Sequence, residues 1–337
     1  MADPNLGQEV ASVWESVINP DGPTDNIFNS RALFYSLAGG GQKGLKTGVG
    51  FEGRTGVDGG RVFESDIEYA VNTNFRSYGQ FANLDLNYID VFDAARWDIK
   101  TASGTVNWTD LEMAKAQGSS QKYDVIDRKL TNGKNSHVDD MNKQLLGVAA
   151  ASSDNILSIQ DLISATPSAS VSIGGINQAT FTFWRNKQTL GTLSVNPFDN
   201  LRAAMRSIYN QCSRGGLLEH PTAGLFRRTD FEGYESTLIP TERFTTADKE
   251  KNGQGAFAND VLKFKGAELF YDEDQTVATC FMYNPKYMKI AYLKGYWMKM
   301  RDRIEPVNAL TSSQAIRTHW ALTTDQRRRL GCVTVIT

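Results

Sequence analysis

The spacing of hydrophobic positions changes several times along this chain, and each change marks an element. Residues 8 to 18 (QEVASVWESVI) place Val10, Val13, Trp14, Val17 and Ile18 at helical spacing, and Asn19-Pro20 ends the run. A helix this short is marginal alone, so it is expected to need a partner surface. Beyond residue 60 the period becomes two. In RVFESDIEYAVN, Phe63, Ile67, Tyr69 and Val71 share one face, and Glu64, Asp66 and Glu68 the other. In RWDIKTASGTVNW, Trp97, Ile99 and Thr101 oppose Asp98 and Lys100. The two segments are expected to pair as a long antiparallel ribbon, with Arg96 and Lys100 near the acidic face. Such a ribbon has little core of its own and would draw stability from another chain. The residues between, NFRSYGQFANLDLNYIDVF, are rich in aromatic residues and asparagine.

The helical period returns in QKYDVIDRKLTNGKNSHVDDMNKQLLG. Tyr123, Ile126, Leu130, Val138, Met141 and Leu145 fall within an arc of about 120°. One long helix ending at Gly147 fits, and so do two helices with an Asn132-Gly133 turn between them. The phase preserved across that dipeptide favours one helix, although glycine there costs about 1 kcal/mol relative to alanine. Residues 171 to 195 are strand-like and punctuated by glycine. Asn196 as cap and Pro197 as first residue then open a helix carrying Phe198, Leu201, Met205, Ile208 and Cys212 on one face, closed by Gly215-Gly216. Residues 249 to 255 (KEKNGQG) form a polar loop. The last quarter reads as mostly β, with Ile316, Thr318, Trp320 and Leu322 alternating against Arg317 and His319. The class is α+β, without repeats or a clear linker.

Composition narrows the function. The 337 residues suffice for two domains, and 40% hydrophobic with 22% charged residues is ordinary globular composition. A net charge of −2 gives no general attraction to nucleic acid or anionic membrane. The scattered Cys212, Cys280 and Cys332 imply no disulfide framework and favour a reducing compartment. The acidic N-terminus lacks an apolar signal region, and the longest small-apolar run, 145 to 151, is far too short to span a membrane. A soluble protein made inside the cell is expected.

The chemistry search finds no site. AGGGQKGLKTGVGFEGRTGVDGG, residues 38 to 60, holds ten of the 29 glycines. A phosphate loop would need glycine where Leu45 precedes Lys46-Thr47, and a helix where GVGFEGRTG follows. The preceding RALFYSLA is compatible with a strand. A flexible segment is therefore the reading for this run. No cysteine or histidine pair has zinc spacing among His137, His220, His319 and the three cysteines. His319 reads as a surface or satisfied histidine, and Cys212 as packing. Asp272, Glu273 and Asp274 lack the calcium-loop pattern and read as a solvated turn. Arg327, Arg328 and Arg329 read as a solvated turn or as partners of acidic groups, with nucleic-acid contact the less favoured alternative. No catalytic, cofactor-binding or metal-ligating residue is assigned, and no cofactor.

The order of elements carries a resemblance. An isolated N-terminal helix, a glycine-rich loop, a long ribbon, a long helix and a mixed body ending in strands resemble the major capsid protein of tailed double-stranded DNA bacteriophages, the Hong Kong ninety-seven-like (Johnson) fold. The ribbon from Arg61 to Trp108 resembles that family's E-loop, and TDLEMAKAQ the short helix before its spine. KGAELF (265 to 270) resembles a late A-domain strand, and NPKYM (284 to 288) a segment soon after it. Arg327 to Gly331 resembles the basic turn into the final strand.

The resemblance implies an N-terminal arm (1–40) and an E-loop ribbon with a glycine-rich hinge (41–107). It further implies a P-domain (108–151 and 290–322, spine helix about 119–147) and an A-domain (152–289 and 323–337). It implies a structural virion protein, not an enzyme, that self-assembles in the host cytoplasm. Hexamers and pentamers would form an icosahedral capsid enclosing double-stranded DNA without sequence-specific binding. A separate scaffolding protein is expected, because no long acidic helical extension precedes the arm, together with a portal protein and a possible decoration protein, and no membrane. Trimming residues 1 to 60 is expected to leave a folded body. The nearest alternative is an encapsulin-type nanocompartment shell. Rivals from other classes are a soluble α+β hydrolase with an unrecognised carboxylate site and a tail- or portal-associated protein forming rings or tubes.

Overall fold

In a computed structural model of the protein, the structure describes residues 31–38, 54–115, 125–191, 197–213, 219–238, 262–306, 308 and 310–335. The expected helix over 8–18, the glycine run 39–53, the helix start at 119–124, the Asn196 cap, the side chain of Phe198, Gly215-Gly216 and the loop 249–255 lie outside the described residues. In chain order the elements begin with α1 (Ala32–Ala38), β1 (Arg54–Val57), β2 (Val62–Glu68), β3 (Phe92–Asp98) and β4 (Lys100–Thr109). Next come α2 (Asp110–Lys115), α3 (Val125–Leu146), α4 (Ile159–Leu162), β5 (Ser172–Ile173), β6 (Ile176–Asn177) and β7 (Lys187–Gly191). They continue with α5 (Pro197–Cys212), β8 (Ala223–Arg227), α6 (Arg228–Leu238), β9 (Leu262–Phe264), β10 (Ala267–Asp272) and β11 (Thr279–Tyr283). The chain closes with β12 (Met288–Leu293), β13 (Lys299–Met300), β14 (Thr311–Thr324) and β15 (Gly331–Val335).

Two sheets organise the body. A five-stranded sheet is centred on β14: β12, β13 and β4 all pair with it, and β1 adds in parallel to β12. The alternation in the β14 sequence sends Ile316, Thr318 and Trp320 into the core beneath α3 and leaves Arg317 and His319 on the opposite face. The second sheet runs β7-β15-β11-β8-β10-β9. Its central strands are apolar at consecutive positions because both faces are covered. Phe281 and Tyr283 of β11 enter the large core that includes α1 and α3, whereas Cys280 and Met282 pack with Leu201, Met205 and Ile208 of α5.

Helix α3 runs unbroken through Asn132-Gly133 and stops at Gly147, whose φ of +75° is the left-handed conformation that glycine adopts without strain. Val138, Met141 and Leu145 are buried as the stripe requires. Gly133 sits mid-helix for a packing reason. An added Cβ would collide with Val106 Cγ2 of β4, so only hydrogen permits this approach of helix to sheet.

Several expectations change. RALFYSLA forms helix α1, not a strand, and all of it except Tyr35 is buried, with Leu33, Phe34, Leu37 and Ala38 in the main core. The expected ribbon divides at Ile99. Strand β3 pairs with β2, Glu64 facing Arg96, but β4 leaves to pair with β14 along ten residues. Lys100 therefore donates to the Ser153 carbonyl at 2.9 Å and not to the acidic face. The ribbon base is not coreless either, since Phe63, Ile67, Ala95 and Trp97 are buried. At the end of the glycine-rich stretch, Arg54–Val57 is a sheet strand, not hinge. Trimming to residue 60 would thus remove the buried α1 and the edge strand β1, which counts against the expectation that the trimmed body stays folded.

Candidate assembly surfaces

Apolar exposure concentrates at the tip of the β2–β3 ribbon. Tyr69 N–H donates to the Val91 carbonyl at 3.0 Å, and beyond that closure the chain has no regular structure until Phe92. Polar groups order this tip from inside. Asn74 Nδ2 donates to the Asn87 carbonyl at 2.6 Å, Tyr78 Oη donates to the Asn74 carbonyl at 2.9 Å, and Asp85 N–H donates to Tyr78 Oη at 3.1 Å. The apolar side chains point outward: Phe75, Phe81, Leu86 and Tyr88 are between 86% and 94% exposed, and Val71, Leu84 and Phe92 join them. Seven exposed apolar side chains within 22 residues make this segment the candidate interaction site, because each forgoes about 1.5–3 kcal/mol while it stays in water.

The arginine run is not a solvated turn. Arg327 to Arg329 form a 3₁₀ turn, and Arg327 is fully buried. Its guanidinium donates to the Leu162 and Trp184 carbonyls at 3.0 Å, and to Gln178 Oε1 and Asn186 Oδ1 at 3.2 Å. The amides are themselves oriented, since Gln178 Nε2 donates to the Thr166 carbonyl and Asn186 Nδ2 to the Ser164 carbonyl. Every one of these acceptors is neutral, and burial lowers the Arg327 pKa to about 10. Arg329 is buried as well, donating to the Cys212 carbonyl and to Glu219, each at 3.2 Å. Only Arg328 is exposed, so the run offers no basic stripe to a phosphate backbone.

The acidic triplet is likewise not a solvated turn at its first member. Asp272 is fully buried and accepts from Leu33 N–H at 3.1 Å, from Asn142 Nδ2 at 3.2 Å and from Asp274 N–H at 3.1 Å. Asn142 Oδ1 accepts from Phe34 N–H at 3.1 Å. The first amides of α1, which have no intrahelical partner, are thus capped by side chains of β10 and α3. Burial raises the Asp272 pKa against the lowering by these bonds. The sequence gives no sign of this hub, since Asn142 sits beside Met141 within the stripe and its partners are over 100 residues away.

The remaining residues singled out by sequence stay apart. Cys212, Cys280 and Cys332 are buried free thiols, and desolvation raises Cys212 and Cys332 to about 12. His319 is satisfied by Thr101 Oγ1 at 2.8 Å and packs against Tyr296. His137 is buried with Nε2 2.8 Å from Thr318 Oγ1, and desolvation lowers its pKa. Among the described residues no group of three His, Cys, Asp or Glu side chains is placed to hold a metal, and no helix is long and apolar enough to cross a membrane.

The fold built from these two β-sheets, the long helix and the projecting ribbon is similar to that of solved capsid and encapsulin chains. The capsid asymmetric unit of cyanophage A-1(L) is similar with a TM-score of 0.63 at 14% identity, over 95% of this chain and 97% of that one. The capsid of a native GTA particle matches with a TM-score of 0.61 at 9% identity over 100% of both chains. The holo-SrpI encapsulin complex from Synechococcus elongatus matches with a TM-score of 0.58 at 8% identity, over 100% of this chain and 96% of that one. No protein-family model and no curated protein matches the chain.

Proposed function

We propose that this protein is a structural virion subunit that self-assembles through hexamers and pentamers into an icosahedral capsid around double-stranded DNA. The carrying observation is the ribbon tip, tied by polar hydrogen bonds and carrying exposed apolar side chains, on a fold similar over the whole chain to that of the capsid of a native GTA particle. A monomer has no use for such a tip, whereas a neighbouring subunit covers it. The sheet gathered on β14, with α3, serves as P-domain and spine; the six-stranded sheet with α5 and α6 as A-domain; the ribbon as E-loop; and residues up to about 30 as arm. Assembly takes place in the host cytoplasm with a separate scaffolding protein, and a portal and a decoration protein are further candidate partners. DNA is enclosed without sequence-specific contact, consistent with the net charge of −2.

The likeness to the SrpI encapsulin favours a second reading, a shell that holds protein cargo. Nuclease-protected DNA or a co-purifying protein in isolated particles separates the two. The proposal itself is tested by electron microscopy of the overexpressed full-length chain, alone and with its scaffold. Closed shells are expected. Monomers or dimers under every condition, with hydrolytic activity, would overturn it. Phe75→Ser, Phe81→Ser and Leu86→Ser combined should leave the melting temperature unchanged and abolish particles.

A further inference from the structure

One face of the β14 sheet carries charge that the fold itself does not balance. Lys299 of β13 stands directly opposite Arg317 of β14, a like-charge cross-strand pair that is unfavourable on its own. Arg301 N–H bonds the Ala315 carbonyl at 2.8 Å, extending the same pairing by two residues and setting Arg301 beside Lys299 on that face. The face is opposite to α3, because Thr318 and Ile316, the neighbours of Arg317, point to His137 and Gly133 of that helix. Among the described residues none of these three cations makes an ion pair, although Asp302 is adjacent in sequence. Lys299 Nζ rests 4.8 Å from the Tyr296 ring. The basic residues nearby are already engaged: Arg303 pairs with Glu305 at 2.7 Å, and Lys294 with Asp58 at 2.6 Å.

The complementary pattern lies on the ribbon. Glu64, Asp66 and Glu68 are exposed at alternate positions of β2, on the face opposite buried Phe63 and Ile67. Among the described residues only Glu64 of the three has an ion-pair partner, Arg96 at 3.0 Å. Alternate residues of one strand repeat at about 6.8 Å, so Lys299 and Arg301 match two successive carboxylates of β2 in spacing and are opposite to them in charge, and Arg317 adds a third cation across the strand pair from Lys299. We infer that the Lys299–Arg301–Arg317 face of one copy receives the Glu64–Asp66–Glu68 edge of a second copy. The contact sets where each ribbon lies and relieves the like-charge pair. The inference rests on the shell-subunit reading and specifies its docking site. Nucleic acid is the less favoured occupant, since three cations on a chain of net charge −2 are a small footprint for a phosphate backbone.

Charge exchange in the full-length chain tests this. Lys299→Glu/Arg317→Glu and Asp66→Lys/Glu68→Lys are each expected to lower particle yield about tenfold with unchanged melting temperature, and the fourfold exchange to restore it. Either pair assembling as wild type, or no recovery in the fourfold exchange, overturns the inference. Glu68→Cys combined with Lys299→Cys gives a readout independent of closure, since the native cysteines are buried. Oxidation should produce disulfide-linked multimers on a denaturing gel, and monomers alone would overturn the contact. Particles without multimers refute this docking site but not the shell; multimers without closed particles support the site and refute the shell. If Lys299→Glu/Arg317→Glu instead loses binding of a double-stranded DNA probe while assembling normally, the face belongs to nucleic acid and the inference is wrong.

Discussion

Replacing Gly133 by alanine sets two quantities of similar size against each other in one helix. Alanine is favoured over glycine in a helix interior by about 0.8–1 kcal/mol. In α3 the new methyl group would collide with Val106 Cγ2, whereas Val106 Cβ at 3.7 Å and Ile316 Cδ1 at 3.9 Å are ordinary contacts. Overpacking of this kind costs about 1–3 kcal/mol. Gly133→Ala should therefore destabilise the subunit by about 1 kcal/mol, despite better helix propensity. In a Val106→Ala background the colliding methyl is gone and the sign should reverse, Gly133→Ala then stabilising by about 1 kcal/mol. The two substitutions are thus expected to couple by about 2 kcal/mol in a double-mutant cycle. Urea unfolding of unassembled subunits, followed by tryptophan fluorescence, measures all four corners. A stabilising Gly133→Ala in the wild type, or coupling below about 0.5 kcal/mol, would refute the argument that close approach to β4 keeps glycine in this helix.

Three further outcomes follow from other contacts. Arg327→Lys cannot reach acceptors on four residues with one ammonium, and Arg327→Met leaves all of them buried and unpaired; each should cost about 3–5 kcal/mol in urea unfolding, and a loss under about 1 kcal/mol would contradict the cage described. Burial lowers the His137 pKa, so the unfolded chain takes up the proton first and stability falls as pH drops through about 6.5, levelling off below the folded value. His137→Gln should flatten the change in melting temperature between about pH 7.5 and pH 5.5; an unchanged slope would discard His137 as its source. Deleting residues 1–30 should leave a soluble folded subunit, whereas deleting 1–38 removes Leu33, Phe34 and Leu37 from the core, about 5–8 kcal/mol, and should yield insoluble protein. Equal circular dichroism and solubility for the two deletions would show that α1 is dispensable.

The parts of this fold legible in the sequence were those governed by local periodicity. The apolar stripe of α3 persisted through Asn132-Gly133, and the alternation in β14 placed Ile316, Thr318 and Trp320 correctly in the core. What sequence spacing missed depended on partners distant along the chain. Nothing near Ile99 signals that β4 abandons β2 for β14, since both pairings satisfy the same alternation. The helical state of α1 depends on Asp272 and Asn142, and the burial of Arg327 on carbonyls and amides from residues 162 to 186. Charged residues read as solvated because polarity alone does not reveal a completed set of acceptors. The exposed apolar tip was partly visible as an aromatic- and asparagine-rich insert, but the cationic face emerged only when β13 and β14 brought Lys299 against Arg317.

The Arg327 cage occupies the short connection between the last strand of one sheet and the last strand of the other. At Arg327 the acceptors are neutral, so this anchor depends less on ionic strength than the Arg329–Glu219 ion pair two residues on. If the chain forms the shell proposed above, a subunit fastened at that point is a stiff tile through changes of salt, and the adjustment to a curved surface falls to the exposed ribbon tip, where a neighbour and not the subunit's own interior would decide the geometry.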